Sequence, residues 1–516
     1  MQPPSPARRA SGVARRSRFL YGLLLALSTL GLCSCYPPYY YYYKFPQYNF
    51  AGRPEPPSML AQRVMIGVSA NGTSGSLQIV DAQRDLRNNI QNTIPEWSIS
   101  GYSSGYPGTI MNYPAEMVGF VYSNSDGSLT KINYSTETSA GQVGTFQSGA
   151  GAIAIPSSFG HYYAAEEAAG LLEVFDNLTG QGYALNLPNV FKVMANTGDT
   201  VALAMVHNSN NLYRVFKLNQ NEYPTQQAAI AATGSVDCEP SLDPVYCVVQ
   251  VPGSYDQPTN VYFSLDGTTA YVLNCGPECG GTTASVTLIE QGPLNELVIP
   301  SSPVQPNPMV PNVPNPVLVP GGVTDAISDG TTLYLSGQQI QPDGLFEGFL
   351  STMNQTTDTI TGVYPISDGN HSKMLFADNN TLWIGSQLCA TGERAKQGVN
   401  YNCLTMVNLS TLAACPRASY SLASPPAACP QIIPNVTPGS PTAIVPYPNQ
   451  NNNLYYYGSL TGICWVQNFN KVYTAYGGQV HIFSTVDGSE MDNEFVVVQG
   501  TALDVAYMDA LSDGAN

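Results

Sequence analysis

Short apolar or alternating runs, about four to eight residues long, recur along most of the chain and are bounded by Gly, Asn, Asp, Ser or Pro. Such runs read as β-strands joined by turns. The clearest unit spans Pro258 to Asn274: a strand, the turn Asp266-Gly267, and a second strand, which is a β-hairpin signature. Similar units run from Gly322 to Ser336 around Asp329-Gly330 and from Ser372 to Gly385 around Asp378-Asn379. Two further strand-like runs follow each, such as Ala284 to Glu290 and then Glu296 to Pro300. Four strands per repeating unit is the pattern of a propeller blade.

Fainter copies begin near Thr109, Ala150, Val190 and Gly462, spaced about 40 residues apart early in the chain. Ala502 to Tyr507 looks like a blade's first strand with no blade after it, whereas Arg63 to Ser69 resembles a second strand with none before it. Joining the two would close the ring and remove its open sheet edges. The expected fold is therefore an all-β propeller of four-stranded blades, eight by this count and seven if the faint copies are discounted.

Composition agrees. Charged residues make up 11% of the 516, against roughly 25% in an average soluble domain, and amphipathic helices need those charges on their wet faces. The first 35 residues read as a targeting segment: Arg8, Arg9, Arg15, Arg16 and Arg18 precede an apolar run, Phe19 to Leu32, that is short for a membrane span. That run ends in Leu32-Cys33-Ser34-Cys35, which resembles a bacterial lipobox with Cys35 as the lipidated residue; an ordinary secretory signal is the alternative. Phe19 falls one place late for twin-arginine export, so Sec export is expected. Tyr36 after the lipid cysteine points to the outer membrane. Residues 36–57, with Tyr39 to Tyr43 in a row, read as a Pro/Tyr-rich tether, or else as an adhesive aromatic surface. Residues 58–516 carry the propeller.

Without the five leader arginines, 14 of the 19 basic residues remain against 36 acidic ones, a net of −22. Nucleic acid is not an expected partner of such a polyanion. Nine cysteines follow the lipobox, and in an oxidising compartment they should pair locally. Cys238–Cys247, Cys275–Cys279, Cys389–Cys403 and Cys415–Cys429 are the expected bridges, leaving Cys464 as a buried thiol inside an apolar run. No zinc set or haem attachment motif completes itself from these spacings, and no cofactor is expected.

Pro258 to Asn274 resembles the repeat of the YVTN β-propellers, whose pattern runs Pro-x-x-Val-Ala-x-Ser-x-Asp-Gly and then Tyr-Val-x-Asn. Tyr271-Val272-Leu273-Asn274 supplies the second part, and Tyr262 departs from the first. The resemblance implies the fold and leaves function open, because propellers host unrelated activities.

Propellers bind ligands at the mouth of the central channel. Aligning the repeats places Lys192, Asn260, Asp325, Lys373 and Asp504 in one column at the start of the innermost strands. This column reads either as a polar pocket for a small charged ligand or as ion pairs that cap the channel. His161, His207, His371 and His481 have no metal-ligating neighbours in sequence. Glu166-Glu167 and Asp237-x-Glu239 read as acids on solvated loops. Gly101 to Gly105 matches Gly-x-Ser-x-Gly, but the following Pro107-Gly108 favours a turn over a nucleophile elbow.

Two function classes stay open. One is a monomeric binding or scaffold propeller of the cell envelope, contacting protein, peptide or glycan. The other is a lactonase-like hydrolase at the channel mouth, which would call for His, Arg and acidic groups together. A quinoprotein dehydrogenase fits eight blades, but Trp97, Trp383 and Trp465 are too few for the tryptophan motif of those enzymes. The Pro-rich stretches 300–320 and 416–448 are further candidate contact surfaces.

Overall fold

The computed structural model describes residues 52–86, 97–147, 149–299, 315–342, 346–389, 402–416, 425–434, 457–491 and 496–511. The leader with Cys35, most of the tether, and most of the two Pro-rich stretches lie outside them. Arg53 to Asn516 form one compact unit.

Eight antiparallel sheets follow one another around a ring, an eight-bladed β-propeller. Their innermost strands are β1 (Pro107–Tyr113), β2 (Ala152–Ala154), β3 (Val190–Ala195), β4 (Pro258–Phe263), β5 (Gly322–Ser328), β6 (His371–Ala377), β7 (Leu460–Val466) and β8 (Thr501–Tyr507). The expected copies near Thr109, Ala150, Val190 and Gly462 all coincide with these strands. Five sheets have four strands. The blade of β3 has five, and the blades of β7 and β8 have three, each extended by an isolated bridge, Phe483 to Glu490 and Gln78 to Ser98.

Closure occurs as expected. β8 pairs antiparallel with Arg63–Ser69, Val64 opposite Tyr507, and Gly75–Asp81 continues that sheet. The strand Thr501–Tyr507 thus completes the blade that Arg63–Ser69 and Gly75–Asp81 begin, and gives Arg63–Ser69 a ladder partner on each side.

Several second strands are buried along their whole length, among them Arg63–Ser69, Thr381–Ser386 and Lys471–Tyr476. Each is covered on both faces by neighbouring blades, hence continuous apolar runs where a one-sided sheet would alternate. Val64, Ile66 and Val68 pack with Ala475, Val480 and Ile482, joining the closing blade to the one before it. The hairpin turn is built as its sequence demands: Gly267 has φ +71°, and the Asp266 carboxylate accepts from Ser264 Oγ and Thr268 N.

All four expected disulfides form, and Cys464 is a buried free thiol. Cys238 and Cys247 lie directly opposite one another in the outer strands of the β3 blade. Such pairing belongs to an oxidising, exported environment. Among the described residues no helix is long and apolar enough to cross a membrane.

One expected strand is absent. Glu296 to Ile299 carry no ladder, and Val317–Leu318 takes the fourth place in the β4 blade. A buried arginine holds the segment instead: Arg214 of the adjacent blade donates to the carbonyls of Leu294, Glu296 and Leu297 and satisfies them without a strand partner.

Candidate functional site

Seven of the eight innermost strand pairs share one irregularity. The register shifts near the strand start, between Pro107 and Thr109, Val190 and Lys192, Pro258 and Asn260, Val323 and Asp325, His371 and Lys373, Leu460 and Gly462, and at Gly67/Val68 opposite β8. A bulge at that point re-aims the following side chain. Lys192, Asn260, Asp325, Lys373 and Asp504 therefore occupy equivalent positions, with Thr109 and Gly462 in the same column.

Side chains in this column associate across the ring. Lys373 Nζ lies 3.5 and 3.4 Å from the two oxygens of Asp504, reaching past β7. Asp504 also accepts from Ile110 N at 2.9 Å and Val505 N at 3.0 Å. Glycine at 462 makes this geometry accessible, since a Cβ there would sit 2.3 Å from Asp504 Oδ1. On the other side, Asn260 Nδ2 donates to Asp325 Oδ1 at 3.2 Å and to Thr324 O at 3.2 Å, while Ala326 N donates to the same carboxylate at 3.0 Å. Lys192 forms no hydrogen bond or ion pair among the described residues, although Asp325 and Lys373 both act on it electrostatically. Burial lowers the Lys192 amine and raises the Asp325 and Asp504 carboxyls from their ordinary values.

Beside these groups lies a cavity of about 470 Å³, lined by Asp325, Lys373 and Asp504 together with Ile110, Met111, Met194, Met374 and Ile463. Lys373 retains 31% side-chain exposure, whereas Asp504 retains 2%. The arrangement is thus intermediate between the two expectations, ion-paired on one wall and open beside it.

None of the histidines lines this cavity, and three of the four meet acids that their sequence neighbourhoods did not announce. His161 Nδ1 is 2.7 Å from Asp199, and its Nε2 is 2.6 Å from the Tyr246 hydroxyl, which donates to Asp176. Lys217 completes that chain at 3.0 Å from Asp176. His481 Nδ1 lies 2.7 Å from Glu490, which also accepts from Tyr457. His207 pairs with Glu167 and stacks on Phe191, ring centroids 3.8 Å apart. His371 donates through Nε2 to Ser367 O at 2.7 Å, and burial depresses it to about 4. Among the described residues no three His, Cys, Asp or Glu side chains gather to hold a metal.

The acids at 166 and 237 depart from expectation. Glu166 ends a strand and is 2% exposed, facing Glu173 of the next strand rather than solvent. Burial and the second carboxyl push it up to about 8. Asp237 and Glu239 lie on a short strand, and Asp237 accepts from Asn186 N and Gln226. Gly101 to Gly105 is irregular, with Gly101 at φ +78°, and it leads into β1 rather than a helix.

No family model matches the chain. No curated protein matches it either. Solved structures that resemble it include dihydro-heme d1 dehydrogenase NirN, 12% identical, TM-score 0.49, covering 90% of this chain and 82% of that one. Hydrazine synthase of Kuenenia stuttgartiensis is 14% identical, TM-score 0.44, with 77% and 99% covered. A protein described as a 6-phosphogluconolactonase from Bacteroides fragilis is 9% identical, TM-score 0.39, with 86% and 97% covered. At these identities and scores the likeness is one of propeller architecture, and it carries no argument about activity.

Proposed function

We propose that this chain is a lipid-anchored propeller of the cell envelope, with YVTN-type repeats, whose channel mouth and surrounding loops bind protein, peptide or glycan. Cys35 is the lipidation site, residues 36–57 are the tether, and residues 58–516 are the binding module, held at the outer membrane as a monomer. One observation carries the binding half of this reading. The groups that converge at the channel are Lys–Asp combinations beside an apolar-walled cavity, a set suited to recognition by charge and shape. The histidines that acid–base chemistry would draw on are committed to other contacts away from it.

Two measurements test the reading. Growth with labelled fatty acid should mark the wild-type chain and leave Cys35→Ala unlabelled and released from membranes; an unlabelled wild type, or a variant that stays membrane-bound, would overturn the anchor. Peptide and glycan arrays probed with the full chain should give signals that Lys373→Met and Asp504→Asn alter. Signals indifferent to both substitutions, or sugar-lactone hydrolysis that Asp325→Asn abolishes, would sink the binding reading in favour of the hydrolase.

A further inference from the structure

The polar groups around the channel cavity are unevenly used. Each oxygen of Asp504 already accepts a main-chain N–H, and Asp325 Oδ1 accepts two donors. The donors are the reverse. Lys373 reaches Asp504 only at 3.4 to 3.5 Å, which leaves N–H groups of its ammonium for the cavity it lines. Lys192 has no hydrogen-bond acceptor among the described residues, although it lies deep enough in protein for burial to lower it. A lysine ammonium carries three donors and no acceptor. Asp325 Oδ2 is the one carboxylate oxygen here that accepts no hydrogen bond among the described residues, and the unused donors of the two ammonium groups outnumber it.

We infer that the cavity takes a small monocarboxylate with an apolar body, its carboxylate on Lys373 with the charge of Lys192 behind it. This rests on reading the channel mouth as a binding site and specifies the ligand. A single negative charge fits better than a dianion, because Asp325 and Asp504 stand at the same wall and would repel the second charge. An apolar body fits because Ile110, Met111, Met194, Met374 and Ile463 form the remaining wall, and methionines adapt to irregular shapes. A volume of about 470 Å³ suits one small molecule or the last residues of a chain. Two sources share this chemistry: a free aliphatic or aromatic acid, and the C-terminal carboxylate of a peptide ending in an apolar residue.

Isothermal titration of the full chain with benzoate, benzylamine, Ala-Ala-Phe and Ala-Ala-Phe-amide tests the proposal. Benzoate or the free-acid peptide should bind, and benzylamine and the amide should not. Binding of benzoate alone identifies free acids as the source, and binding of the peptide acid alone identifies C-termini. Lys373→Met should weaken the acid by roughly tenfold or more, and Lys373→Arg should recover part of it. Thermal melting of Lys373→Met checks that the ring is intact, and Asp504→Asn should bind the acid at least as well as wild type. Benzylamine binding in place of the acids, or acid binding unchanged by Lys373→Met in a folded protein, overturns the inference. If array signals still depend on Lys373 while neither acid binds, the carboxylate assignment falls and the wider binding reading stands.

Discussion

Two charged regions, one at the middle of β8 and one just past its end, use similar ions to different purposes. Where the ring closes, Arg63 is 1% exposed and four of its five guanidinium N–H groups are used: Glu137 at 2.9 Å, the Tyr134 carbonyl at 2.6 Å, and Asp509 at 2.7 and 3.1 Å. Asp509 also takes the Arg63 main-chain N–H and the side chain of Arg53, and Glu137 takes Ser58 N. At the channel, Lys373 contacts one carboxylate at the limit of hydrogen-bond distance and still faces open space. Near-saturation marks an ion pair that holds the fold together. Unused donors beside a cavity mark one available to a ligand.

The largest effect should follow from breaking the near-saturated region. Arg63→Met would leave two buried carboxylates without their fork, and losing one partner of such a network costs about 3–5 kcal/mol. Urea unfolding of the disulfide-bonded chain measures it. A loss under about 1 kcal/mol would mean that closure relies on the β8 ladder and its apolar contacts alone, and that the comparison has misread the latch.

The fold was more legible in the sequence than the site. Hairpins around Asp266-Gly267 and Asp329-Gly330 are local, so the residues that specify them lie within a few positions of one another. Closure could be read because an unpartnered first strand and an unpartnered second strand stood at opposite ends. The column of Lys192, Asn260, Asp325, Lys373 and Asp504 emerged from aligning repeats, but the bulge that orients it left only a weak signature: Thr259, Thr324 and Ser372 share a hydroxyl, and Phe191 breaks the pattern. Side-chain networks were illegible for a simpler reason. His161 meets Asp199 and Tyr246 across 38 and 85 residues, and only the stacking of blades brings them together. Glu166 misled for the same cause: Glu-Glu looks solvated locally, while its burial is decided by the sheet around it.

The next effect separates two carboxyls of one blade. Glu166, pushed up to about 8 from 4.5 by burial and Glu173, stabilises the fold fully below pH 4.5, and that contribution is lost as pH rises through 8. Asp176 behaves oppositely. Burial works to raise it, but the Tyr246 hydroxyl, the Thr179 N–H and Lys217 outweigh burial and hold it down to about 2. Its contribution is present above pH 3.8 and is lost as pH falls through 2. Melting temperature should therefore be highest in mild acid, declining slowly toward pH 8 and steeply below pH 3. Glu166→Gln should flatten the alkaline limb and leave the acid limb in place. An unchanged alkaline slope would remove the carboxyl pair as its cause.

The smallest effect bears most directly on the channel. If Lys373 and Asp504 were structural mortar, their coupling in a double-mutant cycle would approach that of the Arg63 latch. Their long contact, the 31% exposure of the lysine and the independent main-chain donors to Asp504 argue otherwise. The cycle of Lys373→Met and Asp504→Asn should return about 1 kcal/mol or less in the absence of ligand. Gly462→Ala is no substitute for the cycle, because its Cβ would meet Asp504 Cα and Val505 N at 2.7 Å as well as Asp504 Oδ1 at 2.3 Å, and would disturb the packing of β7 on β8 along with the pair. Strong coupling, above about 3 kcal/mol, would instead make the pair a cap on the channel and leave the cavity without its anchor for an anion.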